Sequence, residues 1–330
     1  MRMKIVITDY AVPPPVFEER VLSDVADVVC LQQTNEMGLH GKIEDADGLI
    51  VFHTIDLTSY SIDRLTRCKA IVRSGAGFEN VDLAAAGSKG IYVCNVPDYG
   101  IDEVADHAIA LMLSCSRGLS ITEKRLRKTL GPWNYQAVPK LHRLAEGVFG
   151  VIGLGRIGTA TALRAKAFRM KVVACDPYIP DGRDKALGVT MMSLDDLMAV
   201  SDVVSVHTPL TEETRGVVGA AQFAKMKPHA ILVNTARGEC VDVDALAEVL
   251  KAGKIGGAGL DVLPIEPPET DRAIIRLWQQ EDPPLNLVVT PHSAFYSEQA
   301  FEEMRTKAAL EMKRVLLGEK PRNVVNAEYL

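Results

Sequence analysis

Three segments carry residue types that could do chemistry together: Asn234-Thr235-Ala236-Arg237-Gly238, Asp261-Val262-Leu263-Pro264-Ile265-Glu266-Pro267 and Thr290-Pro291-His292-Ser293-Ala294. Each follows a short apolar run that reads as a strand. Arg237, Glu266 and His292 are therefore expected in loops beyond the carboxyl ends of strands, where an open α/β sheet binds ligands. Such a trio suits reduction of a carbonyl by hydride. The guanidinium fork holds a carboxylate, the imidazole gives a proton to the oxygen as it gains charge, and the glutamate keeps the imidazole protonated. Singly, each residue has a plainer reading: Arg237 as a surface ion pair, Glu266 as a loop charge, His292 as a satisfied histidine after a proline.

A second pattern supplies a site for a hydride carrier. Gly153-Leu154-Gly155-Arg156-Ile157-Gly158 follows the apolar run Gly150-Val151-Ile152 and opens the helical stretch Thr159 to Phe168. In a G-x-G-x-x-G at a strand-to-helix turn, Gly153 permits the tight turn, Gly155 lets backbone approach a pyrophosphate, and Gly158 lets helix pack on strand. Asp176 lies 18 residues after Gly158 and ends the run Val172 to Cys175. A carboxylate there accepts the ribose hydroxyls and repels a 2'-phosphate, which favours NAD(H) over NADP(H). The plainer alternative is a packing turn with Asp176 as a helix cap.

The elements that must position these residues alternate short β-branched runs with amphipathic stretches, the pattern of parallel strands joined by crossover helices. The fold class is α/β. Lys4 to Thr8, Ala26 to Leu31, Gly48 to Phe52, Ala70 to Val72 and Ile91 to Cys94 read as five strands, with a helical stretch at Leu57 to Leu65. The spacing of Val104, His107, Ala108, Leu111 and Met112 predicts a long helix over Glu103 to Gly118. A polar stretch from Lys128 to Glu146, containing Trp133, reads as an arm. Val148 to Ile152, Lys171 to Cys175, Val203 to His207, Ala230 to Asn234, Ile255 to Leu260 and Leu287 to Thr290 then predict six strands. The tail Ser297 to Gly318 is helical, with no indication of which sheet it covers.

The 330 residues, with 47% hydrophobic and 24% charged, fit about two globular domains rather than a disordered or repeat chain. A net charge of -6 without like-charge blocks argues against a nucleic-acid backbone binder. The apolar start is broken by Asp9, and the densest apolar stretch, Ala108 to Cys115, is too short for a membrane helix. A cytoplasmic protein is expected. The six cysteines show no C-x-x-C, and the histidines no H-E-x-x-H, so neither disulfides nor a metal site is expected.

The three chemical segments and the glycine fingerprint, in this order, resemble the D-2-hydroxyacid dehydrogenase family over nearly the whole chain. The resemblance implies two doubly wound domains, the NAD-binding one at 103–292 inserted into a substrate-binding one at 1–102 and 293–330. It implies that Arg237 binds the substrate carboxylate and carbonyl, that Glu266 pairs with His292, and that His292 is the proton donor. It also implies that Asp261 contacts the nicotinamide amide, and that Thr208, Pro209 and Thr211, with Thr235 and Ala236, line the cofactor groove. Within the family, Val51 to Ile55, Ile71 to Gly77, Ala162 to Phe168 and Tyr296 to Ala300 look most like the C-terminal binding protein branch. The Gly75-Ala76-Gly77 turn reads as a backbone nest for a carboxylate, with Arg73 adding positive charge. Phe295 stands where that branch carries a Trp bordering the substrate, so Phe295 is expected to face the substrate's side chain. A homodimer through the cofactor domains is implied, with the helix Glu103 to Gly118 as an exposed apolar surface and the Trp133 arm beside it.

Two functions follow. One is an NAD-dependent enzyme interconverting a D-2-hydroxy acid and its 2-oxo acid. The other is an NAD(H)-sensing interaction protein like the corepressors of the C-terminal binding protein branch. The intact Arg, Glu and His favour the enzyme. Formate dehydrogenase is disfavoured, because that relative has Gln in place of Glu266 and formate oxidation leaves no alkoxide to protonate. Only 38 residues follow His292, which disfavours the commonly regulated form of phosphoglycerate dehydrogenase.

Overall fold

The β-branched runs form parallel strands in two separate sheets, one in each of the two units of the chain. The structure, a computed structural model, describes residues 2–280 and 285–330, residue 137 by its backbone alone. One unit is Met1–Gly100 with Ser297–Leu330, the other Ile101–Tyr296.

In the first unit β1 (Met3–Ile7), β2 (Ala26–Cys30), β3 (Gly48–Val51), β4 (Ala70–Arg73) and β5 (Tyr92–Asn95) pair in the order β2-β1-β3-β4-β5, all parallel. The inner strands β3 and β4 are buried along their whole length, which is why they read as unbroken apolar runs rather than alternating ones. The predicted helix at Leu57 to Leu65 shrinks to Ser59–Ile62, because Leu57 is drawn into a bridge with Val81, Thr58 caps the helix, and Asp63 and Arg64 already turn away. The tail helix Glu298–Leu316 belongs to this unit and packs beside Val16–Leu22. A buried bidentate pair holds it: Arg305 Nε and Nη2 donate to the Glu18 oxygens at 2.7 and 2.6 Å. The Arg305 guanidinium also lies over the rings of Phe17 and Phe301. Removing one partner would leave the other charge buried and uncompensated, so this pair commits the tail to the first sheet.

In the second unit β6 (Val148–Ile152), β7 (Lys171–Cys175), β8 (Thr190–Met191), β9 (Val203–Val206), β10 (Ile231–Asn234), β11 (Gly257–Leu260) and β12 (Leu287–Val289) pair in the order β12-β11-β10-β9-β6-β7-β8. All are parallel. The direction of winding reverses between β6 and β9, and such a switch point opens a crevice at the carboxyl ends. Six strands were expected and seven are present. The extra one, β8, has two residues, too few for any periodicity to show. The helix after the fingerprint starts at Arg156 rather than Thr159, since the cap at Gly155 is backbone geometry and not a side-chain signal.

The long helix spans Ile101–Ser116, and its apolar stripe is not an exposed surface. Val104, Ala105, Ala108, Leu111, Met112 and Cys115 are buried, and the helix packs on β10, β11, β12 and the helix Arg156–Ala167. An amphipathic stripe reports that something covers it, and here the unit's own sheet does. The exposed apolar surface follows instead. The helix Leu119–Thr129 buries no residue, and Leu130 and Trp133 are 73% and 79% exposed. The arm beyond it is irregular apart from one turn at Tyr135–Ala137.

All six cysteines are free thiols. Burial pushes those of Cys68, Cys94 and Cys115 up to about 12, which keeps them protonated and unreactive.

Candidate active site

The seven-stranded sheet sets the singled-out residues in a row along its carboxyl edge. Asp176 follows β7, Gly153 follows β6, Thr208 follows β9, Arg237 follows β10, Asp261 and Glu266 follow β11, and His292 follows β12. Three strand spacings, about 14 Å, separate β7 from β10. The residues suited to an adenosine ribose therefore lie at one end of the row and those suited to a carbonyl at the other.

At the fingerprint Gly153 has φ +89°, a left-handed conformation that side chains disfavour, and a Cβ there would lie 2.9 Å from the backbone of His207 and Thr208. A Cβ on Gly158 would lie 2.0 Å from the Gly153 oxygen, so strand and helix can meet only there without side chains. A Cβ on Gly155 would meet nothing within 4 Å, and no side chain caps the helix Arg156–Ala167. This is a cradle of the shape and polarity that a pyrophosphate fits. Asp176 Oδ2 accepts from Leu154 N at 2.8 Å and Oδ1 from Tyr178 N at 2.9 Å, which ties the end of β7 to the glycine loop. Arg156 is exposed and Ile157 half-buried at the first turn of the helix.

Across the switch point, Thr208 is half-buried while Pro209 and Thr211 are exposed. Thr214 Oγ1 donates to Pro209 O at 2.6 Å and accepts from Thr211 N at 2.8 Å, closing this loop on itself. The Tyr178 hydroxyl donates to Glu213, linking the loops after β7 and β9, a contact that the sequence did not signal. After β10, Asn234 shapes the turn that presents Arg237: its Oδ1 accepts from Ala236 N at 3.0 Å and its Nδ2 donates to Arg237 O at 2.9 Å. The buried Thr235 hydroxyl has no hydrogen-bond partner among the described residues, an orphan that a bound polar group would satisfy. Arg237 is half-buried, and its Nη1 donates to Ala236 O at 2.8 Å.

Glu266 and His292 meet. His292 Nδ1 lies 2.7 Å from Glu266 Oε2, and Glu266 Oε1 accepts from Leu263 N at 2.8 Å. Both side chains remain about one-third exposed, so the pair is accessible. His292 has φ +51°. Asp261 is buried, and its carboxylate is taken up by the neighbouring turn. Oδ1 accepts from Thr290 Oγ1 at 2.6 Å and Ser293 N at 3.0 Å, and Oδ2 accepts from Ala294 N at 2.9 Å. The side chain expected against the nicotinamide amide thus braces the loop that carries His292. Phe295 is half-buried, its ring edge-on to Tyr296 at 6.5 Å.

The remaining singled-out residues are in the first unit, after β4. Arg73 is buried, and its Nη1 donates to Ser74 O at 2.9 Å. Gly75 has φ +143°, and a Cβ there would lie 1.7 Å from Arg73 Nη1, so the guanidinium uses the space that glycine leaves. The carbonyls of Gly75 and Ala76 accept from Val96 N at 3.0 Å and Asn95 Nδ2 at 2.6 Å, pinning the turn that continues through Gly77.

Residues 109–294 match the model of the D-isomer specific 2-hydroxyacid dehydrogenase, NAD binding domain. The chain is 37% identical over 327 residues to a D-3-phosphoglycerate dehydrogenase of Methanocaldococcus jannaschii, covering 98% of this chain and 59% of that protein. The chain thus spans less than two thirds of that relative's length. Its structure is similar to that of a Thermus thermophilus protein, with a TM-score of 0.87, 32% identity and coverage of 98% of this chain and 100% of that one. It is also similar to that of Aquifex aeolicus D-lactate dehydrogenase complexed with NAD and lactic acid, with a TM-score of 0.84, 30% identity and 96% of each chain covered. This protein belongs to the D-isomer specific 2-hydroxyacid dehydrogenase family.

Proposed function

We propose that the protein is an NAD(H)-dependent oxidoreductase that interconverts a D-2-hydroxy acid and its 2-oxo acid. The observation that carries this reading is the 2.7 Å pair of His292 and Glu266 at the carboxyl edge, two strands and one strand from Arg237 respectively. Gly153, Gly155 and Gly158 with the first turn of the following helix would hold the pyrophosphate of NAD(H), and Asp176 the adenosine ribose. Thr208, Pro209, Thr235 and Ala236 would border the rest of the cofactor. When bound, NADH supplies a hydride to the carbonyl carbon. Arg237 binds the substrate carboxylate and polarises the carbonyl, while His292 delivers its proton to the oxygen as negative charge develops there. Glu266, aimed by Leu263 N, holds the imidazole in orientation. Within the second unit, Phe295 would contact the substrate's side chain; in the first unit, taken by itself, Arg73 and the Gly75-Ala76-Gly77 turn would form a nest for a carboxylate.

Relatives named for D-3-phosphoglycerate and D-lactate support a 2-hydroxy acid substrate. Following NADH absorbance with purified protein across glyoxylate, hydroxypyruvate, pyruvate and longer 2-oxo acids tests the reading. Oxidation of NADH by at least one of them is expected, and none across the panel would overturn it. The NAD(H)-sensing alternative needs no acid-base pair, so a formed one supports the enzyme.

The same reading places the protein in the cytoplasm, consistent with six free thiols. None of the described helices is long and apolar enough to cross a membrane. It also makes the protein a homodimer, for which Leu119, Leu130 and Trp133 offer the exposed apolar surface. Sedimentation at micromolar concentration distinguishes one chain from two.

A further inference from the structure

His107 sits in the helix Ile101–Ser116, outside every segment to which the site chemistry has been assigned, and by sequence it reads as part of an apolar stripe. Its Nε2 lies 2.9 Å from Thr290 Oγ1 and 3.6 Å from Asp261 Oδ1. The Thr290 hydroxyl in turn lies 2.6 Å from Asp261 Oδ1. A hydroxyl has one proton, and an ionised carboxylate only accepts. The Thr290 proton therefore goes to Asp261, and His107 Nε2 must donate its own proton to Thr290 Oγ1. Contact geometry alone thus sets the protonation of one histidine nitrogen, and the chain runs in one direction: Nε2–H to Oγ1–H to Oδ1.

What this chain ends on matters. Asp261 gathers Thr290, Ser293 and Ala294 on its carboxylate, and its carbonyl accepts from His292 N at 2.8 Å. Enclosed by these bonds, His292 is held at φ +51°, in the left-handed region uncommon for a residue with a side chain. Such a conformation persists only where the surroundings over-determine it. His107 is the outermost member of those surroundings, reaching in from a helix that is itself anchored on β10 to β12.

We propose that His107 is a positioning residue for His292, acting through Thr290 and Asp261 to hold the 290–294 turn in the conformation that presents the imidazole. This rests on the reading of His292 as the proton donor. A displaced acid transfers its proton poorly, while cofactor affinity is unaffected because the relay touches no cofactor residue other than Asp261, whose carboxylate stays bonded to Ser293 and Ala294.

The test compares His107→Leu, His107→Gln, Thr290→Val and the His107→Leu/Thr290→Val double variant with the wild type and His292→Asn. The substrate is the 2-oxo acid of the panel above that is turned over fastest. The quantities are kcat/KM for reduction against pH, NADH affinity by fluorescence, and melting temperature. His107→Leu is expected to lower kcat/KM about tenfold or more at every pH, without moving the alkaline limb, with NADH affinity within twofold of wild type. Gln places an N–H donor near the Nε2 position and should restore most of the rate. The double variant should be no slower than the slower single one. If His107→Leu does not fold, Thr290→Val and His107→Gln carry the same comparison. His107→Leu within twofold of wild type beside an inactive His292→Asn would overturn this proposal alone. So would a lost rate matched by lost NADH affinity, or one that Gln does not rescue. A His292→Asn variant that keeps its turnover would overturn the acid assignment itself.

Discussion

Glu266 Oε2 and His292 Nδ1 lie 2.7 Å apart although 26 positions separate them in the chain. Their loops leave neighbouring strands, β11 and β12, so parallel pairing rather than local sequence brings them together. Leu263 N occupies the other carboxylate oxygen, which leaves Oε2 directed at the imidazole.

This pair is open to a kinetic test. Glu266→Gln keeps the shape of the side chain and removes the carboxylate that meets the imidazole. If His292 is the proton donor that Glu266 orients, kcat/KM for reduction of a 2-oxo acid should fall about tenfold or more, with NADH affinity within twofold of wild type. The rate is read as kcat/KM, which is insensitive to slow product release. A rate within twofold of wild type with normal NADH binding would separate Glu266 from the role.

Arg237 is presented by a turn that Asn234 braces from both sides. Arg237→Ala should therefore leave the turn formed while removing the cation proposed to meet the carboxylate and developing oxyanion. A loss of about a hundredfold or more in kcat/KM is expected, with NADH affinity nearly unchanged. Turnover close to wild type would contradict the assignment.

The Asp176 carboxylate, proposed to meet the ribose, is already held in place by two backbone N–H groups. A fixed anion cannot swing away from a 2'-phosphate, so NADH should be preferred over NADPH by about tenfold or more in kcat/KM. Asp176→Asn should narrow that gap mainly by improving NADPH. Equal values in the wild type would remove Asp176 from the ribose site.

His207, one residue past β9, gives a stability prediction. Burial pushes its imidazole down to about 4 from the ordinary 6.5; its Nδ1 has no hydrogen-bond partner among the described residues, and Nε2 meets Ser205 Oγ at 2.8 Å. The unfolded chain takes up a proton near pH 6.5 that the folded one refuses until about pH 4. Stability is therefore fully present above the higher value and falls as pH drops through this window, by roughly 3 kcal/mol at its end. Urea unfolding of the wild type and His207→Gln at neutral pH and at pH 4 measures this, and an equal loss in both would refute it.

The sequence by itself determined the class of the fold and the loops in which the proposed site residues stand. Buried parallel strands must be nearly unbroken runs of Val, Ile and Leu, so β3, β4, β9 and β10 were visible as such. A tight turn at Gly153 and a close approach at Gly158 each require glycine, so the fingerprint was visible too. What covers a face, and which distant groups share a bond, depends on contacts that no local pattern encodes. The stripe of the helix Ile101–Ser116 showed that it is covered, but only the tertiary structure showed that β10 to β12 cover it. The tail helix reached its own sheet through Glu18 and Arg305, 287 positions apart. Asp261 carried a family expectation of cofactor contact, and only the packed turn revealed its carboxylate bound to Thr290, Ser293 and Ala294. His107 joined that turn from 183 positions away because a hydrogen bond depends on distance in space, which chain folding sets and sequence spacing does not.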